Sequence, residues 1–237
     1  MTISLEICVD DLRGLQIAND ADVDRIELCS ALDQGGLTPT PELISQARQA
    51  DVPIYAMIRP RGGNFVYDIP EIDAMVAAIQ TMKSAGFAGV VFGSLTPQHT
   101  LDLNAMQRLC HAARGMDITL HRAVDVSANP VDCVEIANNL GIGRILTSGG
   151  AATAPKGVET LRKMMRCAGG AVDIMAGSGI THETVTTLLQ AGLQHVHASC
   201  RVPCARCEKP HISRTAVDQL QQVIAQFKSD QGKDLGT

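Results

Sequence analysis

The sequence predicts a parallel (β/α)8 barrel of the TIM type, with eight strands that each precede a helix. Three observations predict it. Short β-type runs alternate with stretches of helical periodicity, the alternation repeats eight times, and the 237 residues match the length of one-domain α/β barrels. We therefore expect a single domain over residues 1–237. The alternative is an open doubly wound sheet, but Cys8-Val9-Asp10 follows the first strand where that fold often carries Gly-x-Gly-x-x-Gly.

The strand runs are short and mostly apolar, with turn-forming residues between them and the helices. They begin near Ser4, Asp24, Pro53, Ala88, Asp117, Arg144, Val172 and Gln194. The first residues, Met1 to Glu6, lack a basic stretch followed by a long apolar one, so they predict a strand and not a signal peptide. No stretch reaches the roughly 20 apolar residues of a membrane helix. We expect a cytoplasmic protein with no membrane partner.

The helices between these strands carry apolar stripes and end signals. Pro70 lies near the start of the third helix and Gly86 at its end. Asn129-Pro130 begins the fifth helix and Gly141 ends it, while Thr181 is the expected N-cap of the seventh. Buried stripes are predicted at Ile72, Met75, Val76, Ile79 and Met82 in the third helix, at Val185, Leu188 and Leu189 in the seventh, and at Val217, Leu220, Ile224 and Phe227 in the last.

The composition argues against a nucleic-acid partner. Aromatic residues make up 3% of the chain, Trp is absent, and the net charge is −5, so neither stacking platforms nor a basic footprint is expected. The eight cysteines of a cytosolic chain should be thiols. Cys110, Cys133 and Cys167 fall in helical patterns and are predicted to be small core residues.

Ionisable residues recur at the ends of the apolar strands, which is unusual for buried positions. Because side chains alternate along a strand, four pairs are expected to share an inward face. These pairs are Glu6 with Cys8, Glu27 with Cys29, Thr119 with His121, and His197 with Ser199. In a barrel the carboxyl ends of the strands meet at one mouth, so the sequence predicts a common polar site there.

Several longer motifs resemble those of one known family. They are Asp24-Arg25-Ile26-Glu27-Leu28-Cys29 with Gly35-Gly36-Leu37-Thr38-Pro39, the run Met57 to Tyr67 with its Arg-Pro-Arg-Gly-Gly segment, His121-Arg122-Ala123 with Asp125, and Ile145 to Gly150. From about Leu5 to Ser199 the chain resembles the CutC family, named for copper homeostasis. The resemblance implies a (β/α)8 barrel, a cytoplasmic homo-oligomer (dimer or tetramer) and binding of Cu(I), but it implies no reaction.

The chain departs from the family pattern in three places. Asn64 stands where the family usually has Asp, so this position supplies no carboxylate. Leu120 and Val124 replace the usual Phe residues, which changes packing only. Residues 200–212 form a divergent cysteine-rich loop before the last helix.

The first candidate site is the pair Cys8 and Cys29. They end the first two strands, and neighbouring strands lie about 4.8 Å apart. Thiolates favour Cu(I) and zinc, and two thiolates suit Cu(I) better because zinc takes four ligands. The resemblance assigns the same role to these two cysteines. The alternative is that both pack as small apolar residues.

A second candidate is an acid–base set that would serve an enzyme acting on a small anionic or phosphorylated metabolite. Glu27 or His121 would be the general base, and Arg59 and Arg61 would hold the anion. Other expected contacts to the anion are Glu6, Arg122, His197, Gly149, Gly177, Ser178 and Gly179, of which the glycine segments would approach a phosphate closely. Structural ion pairs and turn glycines are the alternatives.

A third candidate is the spacing Cys200-x-x-x-Cys204-x-x-Cys207-x-x-x-His211 in the divergent loop. Four such ligands would close a second zinc or copper site. The alternative is a thiol-bearing loop without metal. Two function hypotheses remain open. Copper handling requires the thiols and tolerates Arg59→Ala, whereas metabolite chemistry requires the arginines and carboxylates and tolerates Cys8→Ser.

Overall fold

Eight parallel strands pair in chain order and close into a barrel in the computed structural model, which describes residues 2–21, 23–203 and 209–234. The first strand pairs with the last, which confirms the predicted (β/α)8 barrel over the open sheet. The strands are β1 Ser4–Val9, β2 Arg25–Leu28, β3 Ile54–Met57, β4 Gly89–Phe92, β5 Asp117–Leu120, β6 Arg144–Thr147, β7 Asp173–Gly177 and β8 His195–Ala198.

Helices follow all eight strands and cover the outside of the barrel. They are α1 Leu12–Asn19, α2 Pro41–Ala47, α3 Ile69–Ala85, α4 Leu103–Ala112, α5 Asp132–Asn139, α6 Val158–Ala168, α7 Val185–Gln190 and α8 Arg214–Asp234. Short 3-10 turns precede three of them, at Leu32–Gln34, Arg122–Val126 and Ala154–Gly157. None of the helices in the described ranges is long and apolar enough to cross a membrane.

Alternation along the strands separates two apolar regions. The outward residues, such as Ile7, Ile26 and Leu28, belong to one large core that the strands share with the helices. A second, small cluster of Cys29, Tyr55, Met57 and Val91 lies on the opposite faces of the strands. The barrel interior is therefore mixed, because these apolar side chains share it with buried charged groups.

The helix-end signals in the sequence predict the bounds of α3 correctly and the starts of α5 and α7 less accurately. Asp68 and Glu71 form a capping box at the start of α3, and Gly86 ends the helix in the left-handed conformation. Asn129 lies before α5, where its side-chain oxygen accepts a hydrogen bond from the Val131 N–H, so the helix begins later than predicted. The helix α7 also begins later, after Thr184, because Thr181 forms a separate turn whose carbonyl accepts from the N–H of Val185.

Two further sequence expectations have different outcomes. Cys133 is buried and Cys110 is half-buried, but Cys167 is exposed, since it lies on the outer face of α6 beside Arg166. The core prediction for Cys167 is therefore wrong. After Ser199 the chain forms a small antiparallel pair, β9 Arg201–Val202 and β10 His211–Ile212, which brings the divergent loop back towards α1.

Glycine makes room for large side chains inside the barrel, most tightly at Gly89 of β4. A Cβ atom there would collide with the Tyr55 ring and lie 2.8 Å from the Asp117 carbonyl oxygen. The Tyr55 hydroxyl is fixed by a 2.7 Å hydrogen bond to Asp117, so the ring cannot move without breaking that bond. Backbone and ring thus leave no space for a side chain at this position.

We expect Gly89→Ala to lower the free energy of unfolding by about 1–3 kcal/mol, as overpacked cores do. Gly143→Ala is the matched control, because a Cβ there has no neighbour within 4 Å. It should change the free energy by less than about 0.5 kcal/mol. Urea unfolding of both variants checks this, and equal stability of the two would contradict the packing described here.

Candidate metal and ligand site at the barrel mouth

A buried carboxylate, Glu6, connects three strands in the barrel interior. In register it lies opposite Arg25 of β2 and His197 of β8. Its Oε1 accepts a 2.7 Å hydrogen bond from His197 Nδ1, and its Oε2 forms an ion pair with Arg25 Nε at 2.9 Å. Burial alone would raise the pKa of Glu6, but the His197 hydrogen bond and the charges of His197 and Arg25 outweigh it and lower the pKa.

The hydrogen bond to Glu6 fixes which nitrogen of His197 is available. Because Glu6 is ionised and only accepts, Nδ1 carries a proton and Nε2 faces the other way. Nε2 lies 3.7 Å from Glu27 Oε2. Ligand atoms of Cys8, Glu27 and His197 all lie within 4.8 Å of one another, which makes this trio a candidate metal site.

The charge on His197 follows from its neighbours. Burial disfavours the imidazolium, but Cys8, Glu27 and the bond to Glu6 raise the pKa of His197 well above its ordinary value. Without a metal, Nε2 is therefore protonated and faces the Glu27 carboxyl group. A metal would replace that proton and use the same lone pair.

Glu27 is the least satisfied member of the trio. Burial raises its pKa from 4.5 to about 7, although the His197 charge opposes the shift. Among the described residues its Oε1 has no hydrogen-bond partner. A buried carboxyl group that titrates near neutral pH is suited to proton transfer as well as to metal binding.

Cys29 lies in different surroundings from Cys8. Its thiol donates to the Val9 carbonyl oxygen at 3.3 Å and packs in the small cluster with Tyr55, Met57 and Val91. Burial, together with the charges of Glu27 and Cys8, raises the pKa of Cys29 well above its ordinary value. The trio above includes Cys8 but not Cys29, and Cys8 alone of the two lines the cavity at the mouth.

That cavity has a volume of about 750 Å³, far more than a metal ion requires. Apolar walls come from Leu32, Met57, Phe65, Leu146 and Ile180. Predicted site residues on its wall are Cys8, Glu27, Arg59, His121, Arg122, Ser178, Gly179 and His197. A volume of this size is typical of small-molecule sites.

Arg59 fixes the loop that follows β3. Its guanidinium donates to the carbonyl oxygens of Gln34 at 2.8 Å, Gly36 at 3.3 Å and Gly63 at 2.9 Å. The same group lies over the Phe65 ring, 4.6 Å from its centroid. Its Nε is buried and makes no hydrogen bond within the described residues, and the guanidinium also lies near the buried Tyr67 hydroxyl, where it opposes the rise that burial causes in the pKa of Tyr67.

His121 at the end of β5 is uncharged. Burial and the Arg59 charge lower its pKa to about 3. Its Nδ1 accepts a 3.3 Å hydrogen bond from the Ala123 N–H, so the proton lies on Nε2. Nε2 is buried without a partner in the described part of the chain, and the ring lies 4.9 Å from that of Phe65.

Other predicted site residues are engaged elsewhere. Arg61 pairs with Glu71 at 2.5 Å and also donates to the Asn64 side chain, and it does not line the cavity. Gly149 donates to Thr147 Oγ1 at 2.9 Å. Gly177 lies beneath the Leu146 side chain, which a Cβ atom would strike.

The divergent loop is only partly described. Cys204 and Cys207 lie outside the described residues. Cys200 is half-buried beside the cavity, and burial raises its pKa to about 12. His211 lies in β10, opposite Val202.

Sequence reasoning gave no site role to Phe65 or Asp125, which both line the cavity. Asp125 accepts from Thr147 Oγ1 at 2.5 Å, from the Ser148 N–H at 2.9 Å and from Arg122 Nε at 2.7 Å. It therefore joins the ends of β5 and β6 and holds Arg122 in place. The signal was present, since Asp125 belongs to the same motif as His121.

Comparison with known proteins gives one consistent result. The model of the CutC family matches residues 3–202. A protein from Sinorhizobium medicae named family protein CutC is 50% identical over 199 residues, 84% of this chain and 81% of that protein. One of the same name from Xanthomonas campestris is 38% identical over 232 residues, 96% of this chain and 97% of its own.

Solved structures agree with the fold. A crystal structure from Streptococcus agalactiae, provisionally named as the copper homeostasis protein CutC, has a TM-score of 0.79 and 29% identity, and the match covers 84% of this chain and 99% of that one. A dihydrodipicolinate synthase from Bacillus anthracis has a TM-score of 0.67 at 14% identity, covering 98% of this chain and 78% of that one. The latter shows a shared barrel alone.

The raised pKa of Glu27 predicts a pH-dependent stability. The folded protein holds this proton up to pH about 7, whereas the unfolded chain releases it near 4.5, so the stabilisation is present below 4.5 and is lost as the pH rises through 7. In Glu27→Gln this loss is absent. The variant should gain up to about 3 kcal/mol over the wild type between pH 5 and 8.

Urea unfolding of the metal-free protein at several pH values measures this difference. Glu159→Gln is the control, because Glu159 pairs with Arg162 on the surface of α6. Because a surface ion pair contributes little to stability, its difference from the wild type should be much smaller than that of Glu27→Gln at every pH. If the stability difference between Glu27→Gln and the wild type is constant with pH, burial does not raise the pKa of Glu27 and the prediction is contradicted.

Proposed function

The chain belongs to the CutC family, and from that premise we propose that it serves copper homeostasis by binding Cu(I) at the C-terminal mouth of its barrel. The observation that carries the proposal is the trio of Cys8, Glu27 and His197, whose ligand atoms lie within 4.8 Å of one another. A relative of similar structure is named for copper homeostasis, which supports the same role here.

The donor set suits a soft ion. A thiolate from Cys8 and the Nε2 of His197 give Cu(I) two ligands that it favours. The Glu6 carboxylate behind His197 holds the ring in the tautomer that leaves Nε2 free, an arrangement that is common behind metal-binding histidines. Cys29, predicted from sequence as the second thiolate, is the further candidate ligand.

Binding at this trio requires deprotonated ligands. His197 is protonated in the metal-free protein, so Cu(I) must displace at least one proton. We therefore expect the apparent affinity for Cu(I) to rise with pH. The buried Glu27 carboxylate lies next to the bound charge and would be held ionised by it.

An anaerobic titration of Cu(I) against a competing chelator tests the proposal. We expect one ion per chain, and a loss of affinity of at least about 100-fold in Cys8→Ser and about 10–100-fold in His197→Gln or Glu6→Gln. Cys29→Ser decides whether the second thiolate takes part. Cys167→Ser is the control, since this thiol is exposed on α6.

Binding that is unchanged in Cys8→Ser and His197→Gln would contradict the proposed site. The cysteine-rich loop is the competing location, with Cys200, Cys204, Cys207 and His211 as its ligands. Loss of binding only in the double variant Cys204→Ser/Cys207→Ser would move the ion there.

The volume of the cavity favours a second candidate function, an enzyme that acts on a small anionic metabolite. Glu27, whose pKa is about 7, would be the acid or base, with Arg59 and His121 as its partners on the cavity wall. No reaction is assigned. This function would be lost in Arg59→Ala and would survive Cys8→Ser, the reverse of the pattern for copper. The cytoplasmic location and the homo-oligomer implied by the family stay predictions.

A further inference from the structure

Two buried N–H groups on the cavity wall have no hydrogen-bond partner among the described residues, Arg59 Nε and His121 Nε2. Arg59 is 5% exposed and His121 is 2% exposed, so bulk water does not satisfy them. Leaving such a group unpaired destabilises the folded protein. Other buried polar atoms of the described chain also lack a partner, but these two residues line the same cavity, where a ligand could complete both.

The two groups are neighbours. Both lie against the Phe65 ring, the Arg59 guanidinium 4.6 Å and the His121 ring 4.9 Å from its centroid. The Arg59 charge also contributes to the low pKa of His121. Phe65 therefore joins them into one patch of the wall.

The chemistry of the patch is specific, because most of the other polar atoms are already used. Three of the five N–H bonds of the Arg59 guanidinium are donated to backbone carbonyls, so Nε and one terminal N–H remain. The Nδ1 of His121 accepts from the Ala123 N–H, so Nε2 donates. The patch thus offers N–H donors from both Arg59 and His121, together with one positive charge.

We propose that the Arg59, His121 and Phe65 patch binds the carboxylate of a small organic acid. The single negative charge of a carboxylate matches the single cation, and its two oxygens can accept from Arg59 and from His121. The apolar walls at Met57, Phe65 and Leu146 would contact the organic part of the ligand. The 750 Å³ volume has room for such a molecule beside the trio of Cys8, Glu27 and His197.

A phosphate fits this patch less well. A phosphate dianion carries more charge than the one arginine of the patch neutralises. In the glycine segment after β7, Gly177 lies beneath Leu146 and the Ser178 hydroxyl already donates to the Ala152 carbonyl. The helix α7 begins further on, at Val185, and has only six residues.

This inference uses none of the proposed copper ligands. It names the substrate class of the second candidate function. Binding of the organic acid does not depend on that function; only its conversion to a product would. If an organic acid binds but no reaction follows, the inference stands and the enzymatic function is rejected. Failure of the copper titration would leave it unchanged.

Calorimetry on the full-length, metal-free protein tests the binding, with benzoate as the carboxylate probe. Benzamide supplies the same ring with an uncharged carbonyl, and inorganic phosphate supplies an anion without an apolar body. We expect saturable binding of benzoate, with at least tenfold weaker binding of the other two. Histidine-selective proton–nitrogen NMR of the wild type should show the Nε2–H resonance of His121 shifting as benzoate is added.

Variants identify the donors. His121→Leu and Arg59→Lys should each weaken benzoate binding at least tenfold, while His121→Gln, which retains an N–H donor, should recover part of the loss. His111→Leu and Arg166→Lys are matched controls on exposed helix surfaces. Cu(I) binding should be the same in His121→Leu as in the wild type.

Three results would overturn the inference. One is the absence of saturable binding at millimolar benzoate. Another is binding that neither shifts the His121 resonance nor depends on His121, which would place the probe elsewhere. The third is phosphate or benzamide binding as tightly as benzoate, which would reject the carboxylate as the recognised group.

Discussion

The Glu6 carboxylate is the group on which the barrel mouth depends. It is fully buried, and a buried charge is tolerated only when it is paired and hydrogen-bonded. Arg25 and His197 supply both conditions from the two strands on either side of β1. The Glu6 side chain therefore links β2, β1 and β8 where the sheet closes into a barrel. Its hydrogen bond also sets the orientation of the His197 ring.

Packing inside the barrel follows from the same requirement. Charged groups and rings need space, and glycines on neighbouring strands provide it, Gly89 for Tyr55, Gly93 for His121 and Gly177 for Leu146. At these positions a large side chain from another strand crosses the interior. The anion-binding role expected for Gly177, Ser178 and Gly179 stays a prediction, and Ser178 and Gly179 lie on the cavity wall.

The fold and the inward-facing residues could be predicted from the sequence. The first follows from the alternation of strands and helices, and the second from the alternation of side chains along each strand. Eight repeats gave the barrel, and alternation placed Glu6, Glu27, His121 and His197 together inside it. It could not predict that Arg59 lines the cavity and Arg61 does not. Both lie beyond the last residue of β3, where alternation no longer holds, and their partners come from distant parts of the chain: Gln34 for Arg59 and Glu71 for Arg61.

The same limit explains the two cysteines. Neighbouring strands bring Cys8 and Cys29 into the interior, as the spacing predicts, but the alignment of β1 and β2 pairs Cys8 with Glu27. Cys29 follows the last residue of β2, and its thiol donates a hydrogen bond to the Val9 carbonyl oxygen. A strand register of this kind depends on barrel closure, which no local pattern encodes.

The polar wall of the cavity divides into two parts with different chemistry. The part formed by Cys8, Glu27 and His197 comes from β1, β2 and β8 and holds soft and titratable groups. The part formed by Arg59, His121 and Phe65 follows β3 and β5 and holds fixed donors. An ion on the first part leaves most of the volume and both free N–H groups unused, so metal binding alone does not account for this mouth. An organic acid on the second part would lie beside a group that titrates near neutral pH, which is where acid–base chemistry requires it.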